Sequence, residues 1–385
     1  MKKLLIKKTI LSFALGAMSL CSASAQADPN CYVYLCLGQS NMEGNANIEA
    51  VDQEYVDERF QMVACVNFTN PARQLGEFYT AYPPIVRPWT GLGMADYFGR
   101  SMVAALPRDI KVCVVDVAIG GVDIKGFMSE VVPAYLETAE DWLKASFAAY
   151  ENDPYKRLVD MAKKAQQKGV IKGILLHQGE TNTGQQDWPQ KVKTVYERLL
   201  SDLGLRAADV PLFVGEVVSA DQNGQCASHN SIINNVPNVI PTAHVVHSQG
   251  CPVRSDRLHF TAAGYRTMGK RYAMEALKAL GQPAKVNDSY TLHASLKNLY
   301  TATGLEPIAD ITLHPGYEHT LDVKATFLDG HVENVSQEAV VSATGPLTVN
   351  GTTIKATGEG QATATVSYTD FTGQTVSTTV AISVN

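Results

Sequence analysis

Short apolar runs alternate with helical patterns over residues 28–282, and this alternation constrains the fold more than any other feature of the chain. Runs with the length and composition of buried strands lie at 32–37, 110–119, 170–176, 210–218 and 243–247. Apolar residues at helical spacing predict helices over 93–106, 154–168, 188–203 and the segment that follows Thr261. Strands that alternate with helices favour a parallel sheet covered by helices on both faces.

The first predicted strand runs into the sequence Gly38-Gln39-Ser40-Asn41-Met42. In open parallel sheets, ligands bind beyond the carboxyl ends of the strands. Ser40 lies at such an end and is therefore a candidate nucleophile. The alternative interpretation is a Ser/Asn turn that only closes the strand.

A serine nucleophile needs a base, an acid that orients the base, and donors for the oxyanion, and the chain offers each of these after a predicted strand. Asp256 and His259 are three residues apart, a spacing that lets the carboxylate hold one ring nitrogen while the other faces Ser40. The expected oxyanion donors are the backbone N–H groups of Ser40 and Gly121 and the side-chain amide of Gln178. Taken singly, Asp256 could be a loop cap, His259 a packed histidine before a helix, and Gly121 part of an ordinary turn.

His177 and Glu180 flank the predicted oxyanion donor Gln178 and could belong to a metal site. However, no second histidine has the H-E-x-x-H or H-x-x-E-H spacing of zinc hydrolases. We therefore expect neither a metal nor a cofactor. Four residues are interpreted as supporting or substrate-binding groups, namely Asn41, His177, Glu180 and Glu216. The chain also lacks G-x-S-x-G, which argues against an α/β-hydrolase nucleophile elbow.

Residues 1–25 have the pattern of a cleaved signal peptide, with four lysines, an apolar stretch over 10–20 and the cleavage sequence Ala23-Ser24-Ala25. The residues before Cys21 make a poor lipoprotein box. We therefore expect a secreted or periplasmic protein without membrane insertion. Cleavage would remove four lysines and no acidic residue, and would change the formal charge from −6 to −10. Such a charge argues against nucleic acid or an anionic membrane as partner and favours a neutral substrate such as a polysaccharide.

The composition and periodicity of the sequence change at about Pro283, where helical periodicity stops and Thr, Val, Gly and Asp dominate. Alternating runs such as 320–327 and the hairpin signal Asp329-Gly330 predict a small all-β sandwich of immunoglobulin-like type over 306–385. Residues 283–305 are predicted as a linker or first edge strand, and residues 26–282 as the catalytic domain. Within that domain, residues 45–91 are predicted to be an irregular surface excursion.

Six cysteines remain after the predicted cleavage: Cys31, Cys36, Cys65, Cys113, Cys226 and Cys251. Export would permit disulfides, and we predict one between Cys226 and Cys251, which flank a loop-rich segment. Cys36 and Cys113 lie inside predicted strands and are expected to be buried thiols.

Four sequence blocks in this order resemble the SGNH (GDSL-like) hydrolase superfamily. They are 38–42, Ile119-Gly120-Gly121, His177-Gln178-Gly179-Glu180 and Asp256-Arg257-Leu258-His259-Phe260. The branch that they resemble is the sialate O-acetylesterase-like group, which includes carbohydrate esterase family 6. The segments 259–264 and 269–273 are similar to the acetylxylan esterase members. The resemblance covers roughly residues 30–280.

This resemblance implies a flavodoxin-like three-layer α/β/α fold and metal-independent removal of acetyl groups from carbohydrate. It implies a triad of Ser40, Asp256 and His259, with Gly121 and Gln178 in the oxyanion hole. Gln178 stands where many SGNH relatives have asparagine, as is usual in this branch. The C-terminal part resembles bacterial immunoglobulin-like modules, which suggests a spacer or a role in surface presentation.

We therefore expect a secreted carbohydrate O-acetylesterase that acts on acetylated xylan or a related plant polysaccharide. A first alternative is a sialate O-acetylesterase, for which Arg87, Arg254 and Arg257 are candidate partners of the substrate's carboxylate. A second alternative is a non-catalytic glycan-binding or adhesion protein. The sequence does not indicate an oligomeric state.

Overall fold

The computed structural model describes residues 27–54, 56–282, 284, 286, 301–328, 330, 332–370 and 373–385. The predicted signal peptide lies outside the described residues. Two separate hydrophobic cores are present, one formed by residues 31–280 and one by residues 302–384. This separation supports the predicted division of the chain, while the exact domain boundaries stay predictions.

A seven-stranded sheet forms the centre of the first core, in the order β3-β2-β4-β1-β5-β6-β7. All neighbouring strands are parallel except β2 and β3, which are antiparallel. The strands are β1 (Cys31–Gly38), β2 (Phe60–Val63), β3 (Phe78–Thr80), β4 (Lys111–Ala118), β5 (Val170–His177), β6 (Leu212–Gly215) and β7 (Ala243–Val246). The strands β4-β1-β5-β6-β7 have the flavodoxin-like 2-1-3-4-5 arrangement.

Ten α-helices belong to the described part of this region. They are α1 (Ser40–Glu43), α2 (Ala50–Gln53), α3 (Met94–Ala105), α4 (Val132–Glu137), α5 (Asp141–Ala148), α6 (Pro154–Gln166), α7 (Trp188–Leu203), α8 (Asn230–Ile233), α9 (Val236–Val239) and α10 (Ala262–Ala279). Short 3₁₀ turns occur at Ile124–Phe127, Ala220–Gln222 and Ala227–His229.

The helices cover both faces of the sheet, as successive residues of β5 show. Ile174 and Leu176 line a small apolar cavity with Val192 and Val195 of α7. His177, which points to the opposite face, contacts Tyr272 of α10. Because alternate side chains of a strand point to opposite faces, the sheet lies between two helical layers. The predicted three-layer α/β fold is confirmed.

The segment 45–91 differs from its prediction, because it contributes two strands to the sheet rather than an irregular excursion. β2 pairs with β4 in parallel and β3 completes the edge as an antiparallel strand. The run Phe60-Gln61-Met62-Val63-Ala64-Cys65-Val66 is apolar enough to have indicated this strand. These added strands satisfy the backbone hydrogen bonds that β4 would otherwise expose at the edge of the sheet.

The C-terminal part is all-β, as predicted, and forms three small sheets. Its strands are β8 (Ala302–Leu305), β9 (Ile311–Leu313), β10 (Glu318–Thr320), β11 (Lys324–Phe327), β12 (Val332–Asn334), β13 (Val340–Thr344), β14 (Leu347–Asn350), β15 (Thr353–Ala356), β16 (Gly360–Thr369) and β17 (Thr375–Val384). β11 and β12 pair antiparallel at the predicted hairpin. β8 lies at the edge of its sheet. It occupies the end of segment 283–305, which the sequence predicts as a linker or first edge strand. The immunoglobulin-like assignment stays a prediction.

The disulfide predicted between Cys226 and Cys251 is wrong, because no such bridge joins the two residues where the structure describes them. The Cys226 thiol instead contacts the backbone oxygen of Glu180 at 3.6 Å. Cys36 and Cys113 are fully buried in the sheet, as predicted, and burial raises the pKa of both thiols.

None of the helices that the structure describes combines the length and the apolar character that crossing a membrane needs.

The N-terminus of α10 offers a test of local stability, because Thr261 Oγ1 accepts a hydrogen bond from the Gly264 N–H at 3.2 Å. Thr261→Ala should lower the free energy of unfolding by about 1 kcal/mol through loss of this N-cap. Thr267→Ala in the same helix is the matched control and should be neutral or slightly stabilising, because alanine has the higher helix propensity. Urea unfolding followed by tryptophan fluorescence reports on this region, since all three tryptophans precede residue 189. Equal stability of the two variants would contradict the assigned cap.

Candidate active site

Ser40 is the first residue of α1, immediately beyond the carboxyl end of β1. The turn between them requires a glycine at position 38, because a Cβ atom there would lie 2.1 Å from the backbone oxygen of His177. Gly38 therefore lets β1 and β5 approach closely at the edge where both strands end. The side chain of Ser40 is largely buried but retains access to solvent, with 7% of the residue exposed.

Ser40, His259 and Asp256 form a continuous chain of hydrogen bonds. The Ser40 Oγ lies 2.9 Å from His259 Nε2, and His259 Nδ1 lies 2.9 Å from Asp256 Oδ2. The second carboxylate oxygen, Asp256 Oδ1, accepts the backbone N–H groups of Leu258 and His259 at 2.9 and 3.0 Å. The geometry thus brings together the three residues predicted as a catalytic triad, in the arrangement that serine acyl transfer requires.

The surroundings of Asp256 favour its ionised form. Burial alone would raise the pKa of this carboxyl, but hydrogen bonds from the backbone and side chain of His259 outweigh it and lower the pKa to about 2. The Arg257 backbone, in the left-handed region with a φ of 54°, turns the loop between Asp256 and His259. An ionised carboxylate at this position can hold the imidazole in one tautomer and stabilise the imidazolium.

Two backbone N–H groups are available for an oxyanion. Within the described residues, neither the Ser40 N–H nor the Gly121 N–H has an acceptor. Gly121 adopts a φ of 72°, and its backbone oxygen accepts the Thr181 hydroxyl at 3.1 Å. The neighbouring Gly120 N–H donates to Glu43 Oε2 at 3.1 Å. These contacts fix the loop after β4 beside Ser40, so its free N–H group can face a ligand.

Gln178 does not offer a free amide hydrogen, which argues against its predicted role as a direct oxyanion donor. Its Nε2 lies 3.1 Å from Gln39 Oε1, 3.1 Å from Val122 O and 2.5 Å from Asn182 Oδ1. Its Oε1 accepts the Trp188 indole N–H at 2.5 Å. Because an indole nitrogen only donates and a backbone oxygen only accepts, these partners fix the orientation of the amide.

Gln178 is instead a link between the loops that surround Ser40. It is fully buried and bonds the residue before Ser40, the loop after β4 and the loop after β5. No local sequence pattern indicates these partners, because Gln39, Asn182 and Trp188 contact Gln178 only in the folded structure. The buried amide of Asn182 continues the link by accepting the Ile124 backbone N–H at 3.0 Å.

Asn41 connects Ser40 to the loop that carries His259. Its Nδ2 donates to Glu180 Oε1 at 2.5 Å and to the Leu258 backbone oxygen at 3.1 Å. Its Oδ1 accepts the Tyr265 hydroxyl at 2.7 Å. Leu258 immediately precedes His259, so the side chain of Asn41 holds the two halves of the triad at a fixed separation.

Glu180 and His177 place a buried carboxyl group and a buried imidazole close to each other, and Glu180 also accepts the Asn41 amide. Tyr272 donates its hydroxyl hydrogen to the Leu176 oxygen at 2.7 Å, so its oxygen accepts a hydrogen from His177 Nδ1 at 3.1 Å. His177 Nε2 is then without a hydrogen and lies 4.0 Å from Glu180 Oε1. Burial lowers the pKa of His177 to about 3 and raises the pKa of Glu180 to about 7, although the Asn41 hydrogen bond opposes the second effect.

Glu216 supports a more distant part of the same edge. Its Oε1 accepts the Asn234 amide at 2.8 Å, and its Oε2 accepts the Ser248 N–H at 3.0 Å. His247 Nδ1 lies 3.2 Å from the same carboxylate. Glu216 thus fixes the start of the chain segment that leads from β7 to Asp256, and its contacts are those of a supporting residue.

Sequence reasoning missed the buried ion pair between Glu43 and Arg87. Arg87, predicted as a candidate partner of a substrate carboxylate, is only 2% exposed and pairs with Glu43, which also accepts the Gly120 N–H. The predicted role of Arg87 in direct recognition is therefore wrong, because its charge is already neutralised. Nothing in the sequence places residues 43 and 87 together, since they are joined only through the fold.

Across the described ranges, no group of three or more His, Cys, Asp or Glu side chains is arranged to hold a metal ion.

The raised pKa of Glu180 predicts a pH-dependent stability. The folded state keeps its proton up to about pH 7, whereas the unfolded chain loses it near pH 4.5, so wild-type stability should fall as the pH rises between these values. Glu180→Gln keeps an acceptor for Asn41 and removes the titration. The difference in unfolding free energy, variant minus wild type, should increase by about 2–3 kcal/mol from pH 5 to pH 8. Urea unfolding at both values measures it, and a difference independent of pH would show that Glu180 titrates normally.

Comparisons with known proteins place most of the described α/β region in a known family. A family model described as "Carbohydrate esterase, sialic acid-specific acetylesterase" matches residues 30–278, which is more than half of the chain. The matched range contains every residue of the candidate site.

Several solved structures are similar to this chain at low sequence identity. NanS is 17% identical, with a TM-score of 0.50, and the match covers 66% of this chain and 98% of NanS. A protein from Arabidopsis thaliana is 18% identical with a TM-score of 0.48, covering 65% of this chain and 99% of that one. A carbohydrate acetylesterase from Xanthomonas citri is 15% identical with a TM-score of 0.45, covering 90% and 80%. With the family match over residues 30–278, we conclude that the chain belongs to the carbohydrate esterase family of the sialic acid-specific acetylesterase type.

Proposed function

We propose that this protein is a serine esterase that removes acetyl groups from a neutral plant polysaccharide such as acetylated xylan. The observation that carries the proposal is the hydrogen-bonded chain from Ser40 through His259 to Asp256, next to two backbone N–H groups without acceptors. Membership of the carbohydrate esterase family supports the acetylated carbohydrate as substrate.

In the first half of the reaction, Ser40 Oγ attacks the acetyl carbonyl carbon while His259 Nε2 takes its proton. The carbonyl oxygen becomes an oxyanion that the Ser40 and Gly121 N–H groups stabilise. Loss of one such donor typically costs about 3–4 kcal/mol of transition-state stabilisation. The bond to the sugar oxygen then breaks, His259 gives its proton to that oxygen, and the acetyl group remains on Ser40.

In the second half, water repeats the attack on the acetyl-serine. His259 takes a proton from the water as it adds to the acetyl carbon, and then returns a proton to Ser40 Oγ as acetate leaves. Asp256, whose pKa is about 2, stays ionised at neutral pH and supports the positive charge on His259 in both halves. The described residues supply each proton transfer that this route needs.

The remaining features of the chain suit an exported polysaccharide esterase. The signal-peptide pattern of residues 1–25 supports secretion or transfer to the periplasm. The all-β region after residue 301 carries no arrangement like the triad among its described residues, and we assign it a spacer or presentation role. A similarity of segments 259–264 and 269–273 to acetylxylan esterases of carbohydrate esterase family 6 supports xylan as the substrate.

Ser40→Ala tests both the reaction and the substrate. Purified wild type should release acetate from acetylated xylan in the presence of a chelator, and the variant should lose essentially all of this activity, because only Ser40 can form the acetyl-enzyme. Circular dichroism and the unfolding midpoint serve as the control for folding. Activity retained by the variant would remove Ser40 as nucleophile. No acetate from any acetylated glycan would favour a non-catalytic glycan-binding protein.

A sialate O-acetylesterase is the second candidate, favoured by the family description and by two arginines beside the triad. Arg254 Nε lies 3.9 Å from Asp256 Oδ2, and Arg254 also bonds Asn45. Arg257 is exposed on the loop between Asp256 and His259. These cations could face a substrate carboxylate in a way that the paired Arg87 cannot.

Arg257→Ala distinguishes the two candidates. If the substrate is a sialate, the variant should lose about tenfold or more in kcat/KM on an O-acetylated sialic acid, because a charge-assisted contact is removed. If the substrate is xylan, wild type should prefer acetylated xylan, and the variant should keep that activity within a factor of two. Acetate release from both substrates, measured in parallel, decides between these results.

A further inference from the structure

Two exposed tryptophans lie beside the candidate active site, and the proposed mechanism uses neither. Trp142 is 56% exposed and Trp89 is 65% exposed, whereas the third tryptophan, Trp188, is fully buried. Among the described residues up to 282, Val170 is the other large hydrophobic residue with an exposed side chain. Tryptophan has a large apolar surface, and its exposure beside a reactive site indicates a binding role.

Trp142 forms the wall next to the oxyanion loop. A Cβ atom on Gly121 would lie 2.6 Å from Cη2 of the Trp142 ring, so the indole packs directly on that glycine. A Cβ atom on the adjacent Gly120 would lie 3.7 Å from the Ser40 Cβ. The Trp142 ring therefore lies against the loop of Gly120 and Gly121, next to Ser40.

Arg87 joins the loop of Trp89 to the helix of Trp142. The Arg87 guanidinium carbon lies 5.2 Å from the centroid of the Trp89 ring. Arg87 Nη1 donates to the Ser146 oxygen at 3.3 Å, and Ser146 Oγ donates to the Trp142 oxygen one turn earlier in α5. Arg87 therefore contacts both the Trp89 ring and the helix that carries Trp142, and its pairing with Glu43 fixes its position.

The charges around this surface favour a neutral ligand. The positive charge of Arg87 is neutralised by Glu43. Exposed acidic residues lie on and before the helix of Trp142, namely Glu137, Glu140 and Asp141. The nearby Lys144 is within 3.8 Å of Asp141. A ligand with a carboxylate would be repelled here, whereas the C–H face of an uncharged sugar ring can pack on an indole.

We propose that Trp142 and Trp89 form an aromatic platform that binds successive sugar residues of a neutral glycan chain. Trp142 stacks on the sugar nearest to the reacting ester, and Trp89 stacks on a sugar further along the chain. The proposal rests on the proposed esterase function and narrows its substrate to a polymer or oligomer rather than a single sugar. Large, rigid aromatic side chains of this kind commonly dominate the affinity of a binding surface.

The kinetic test compares acetylated xylo-oligosaccharides of increasing length with triacetin, a small ester without a sugar ring or an aromatic group. For Trp142→Ala, the fall in kcat/KM on the oligosaccharides should exceed the fall on triacetin by at least tenfold. For Trp89→Ala, this excess should grow with the length of the oligosaccharide. Trp142→Phe keeps an aromatic face and should recover most of the loss. Tyr317→Ala, at an aromatic residue that is 65% exposed in the C-terminal part, is the control and should change neither activity.

A binding measurement separates recognition from chemistry. In a Ser40→Ala background, which leaves the ester intact, Trp142→Ala should raise the Kd for acetylated xylo-oligosaccharides at least tenfold by calorimetry. If wild type deacetylates these glycans but both tryptophan variants lose the same factor on triacetin, the platform is wrong and the esterase proposal stands. If wild type releases no acetate from any glycan, the esterase proposal fails and the platform fails with it.

Discussion

The geometry of the site depends on the hydrogen bonds of the Asn41 side chain. This one buried amide binds Glu180 from the loop after β5, the backbone of Leu258 beside the base, and the hydroxyl of Tyr265 in α10. Ser40 and His259 lie on separate loops, and the 2.9 Å between their reacting atoms is kept only if those loops cannot move apart. A buried amide with all its partners satisfied provides such rigidity, because each alternative position would leave a polar group without a hydrogen bond.

The charged side chains around Ser40 fall into two groups. On one side, the His259 imidazole lies 2.9 Å from the Asp256 carboxylate. On the other side, the only buried cation close to the oxyanion loop, within the part of the chain that is described, is Arg87, and Glu43 cancels its charge. The Arg87–Glu43 pair thus has no net charge. Its Glu43 carboxylate accepts the Gly120 N–H, and its Arg87 guanidinium lies over the Trp89 ring. This buried pair therefore adds no net charge beside the loop after β4.

The sequence was sufficient to predict the elements that carry the site, because each motif follows an apolar run of strand length. Ser40, Gly121, Gln178 and the pair Asp256 and His259 could be placed at one edge on that ground alone. The sequence pattern around each motif could not show which groups these side chains contact at that edge of the sheet. Gln178 was expected to face the substrate, yet Trp188, ten residues later, turns its amide inward. The edge strands β2 and β3 depart from the prediction for a different reason, since the prolines at 71, 83, 84 and 88 favour an irregular segment although the apolar run 60–66 precedes them.

The distance along the chain between the two reacting side chains has a consequence for biosynthesis. Ser40 and His259 are separated by 219 positions, and the loop of the base is held by α10, which is made last in this domain. During translation Ser40 therefore emerges long before His259, the side chain that it bonds in the folded protein. The hydrogen bonds from Ser40 through His259 to Asp256 can form only after residues 256–259 have reached the edge of the sheet, so their formation during refolding marks a late step in the assembly of this region.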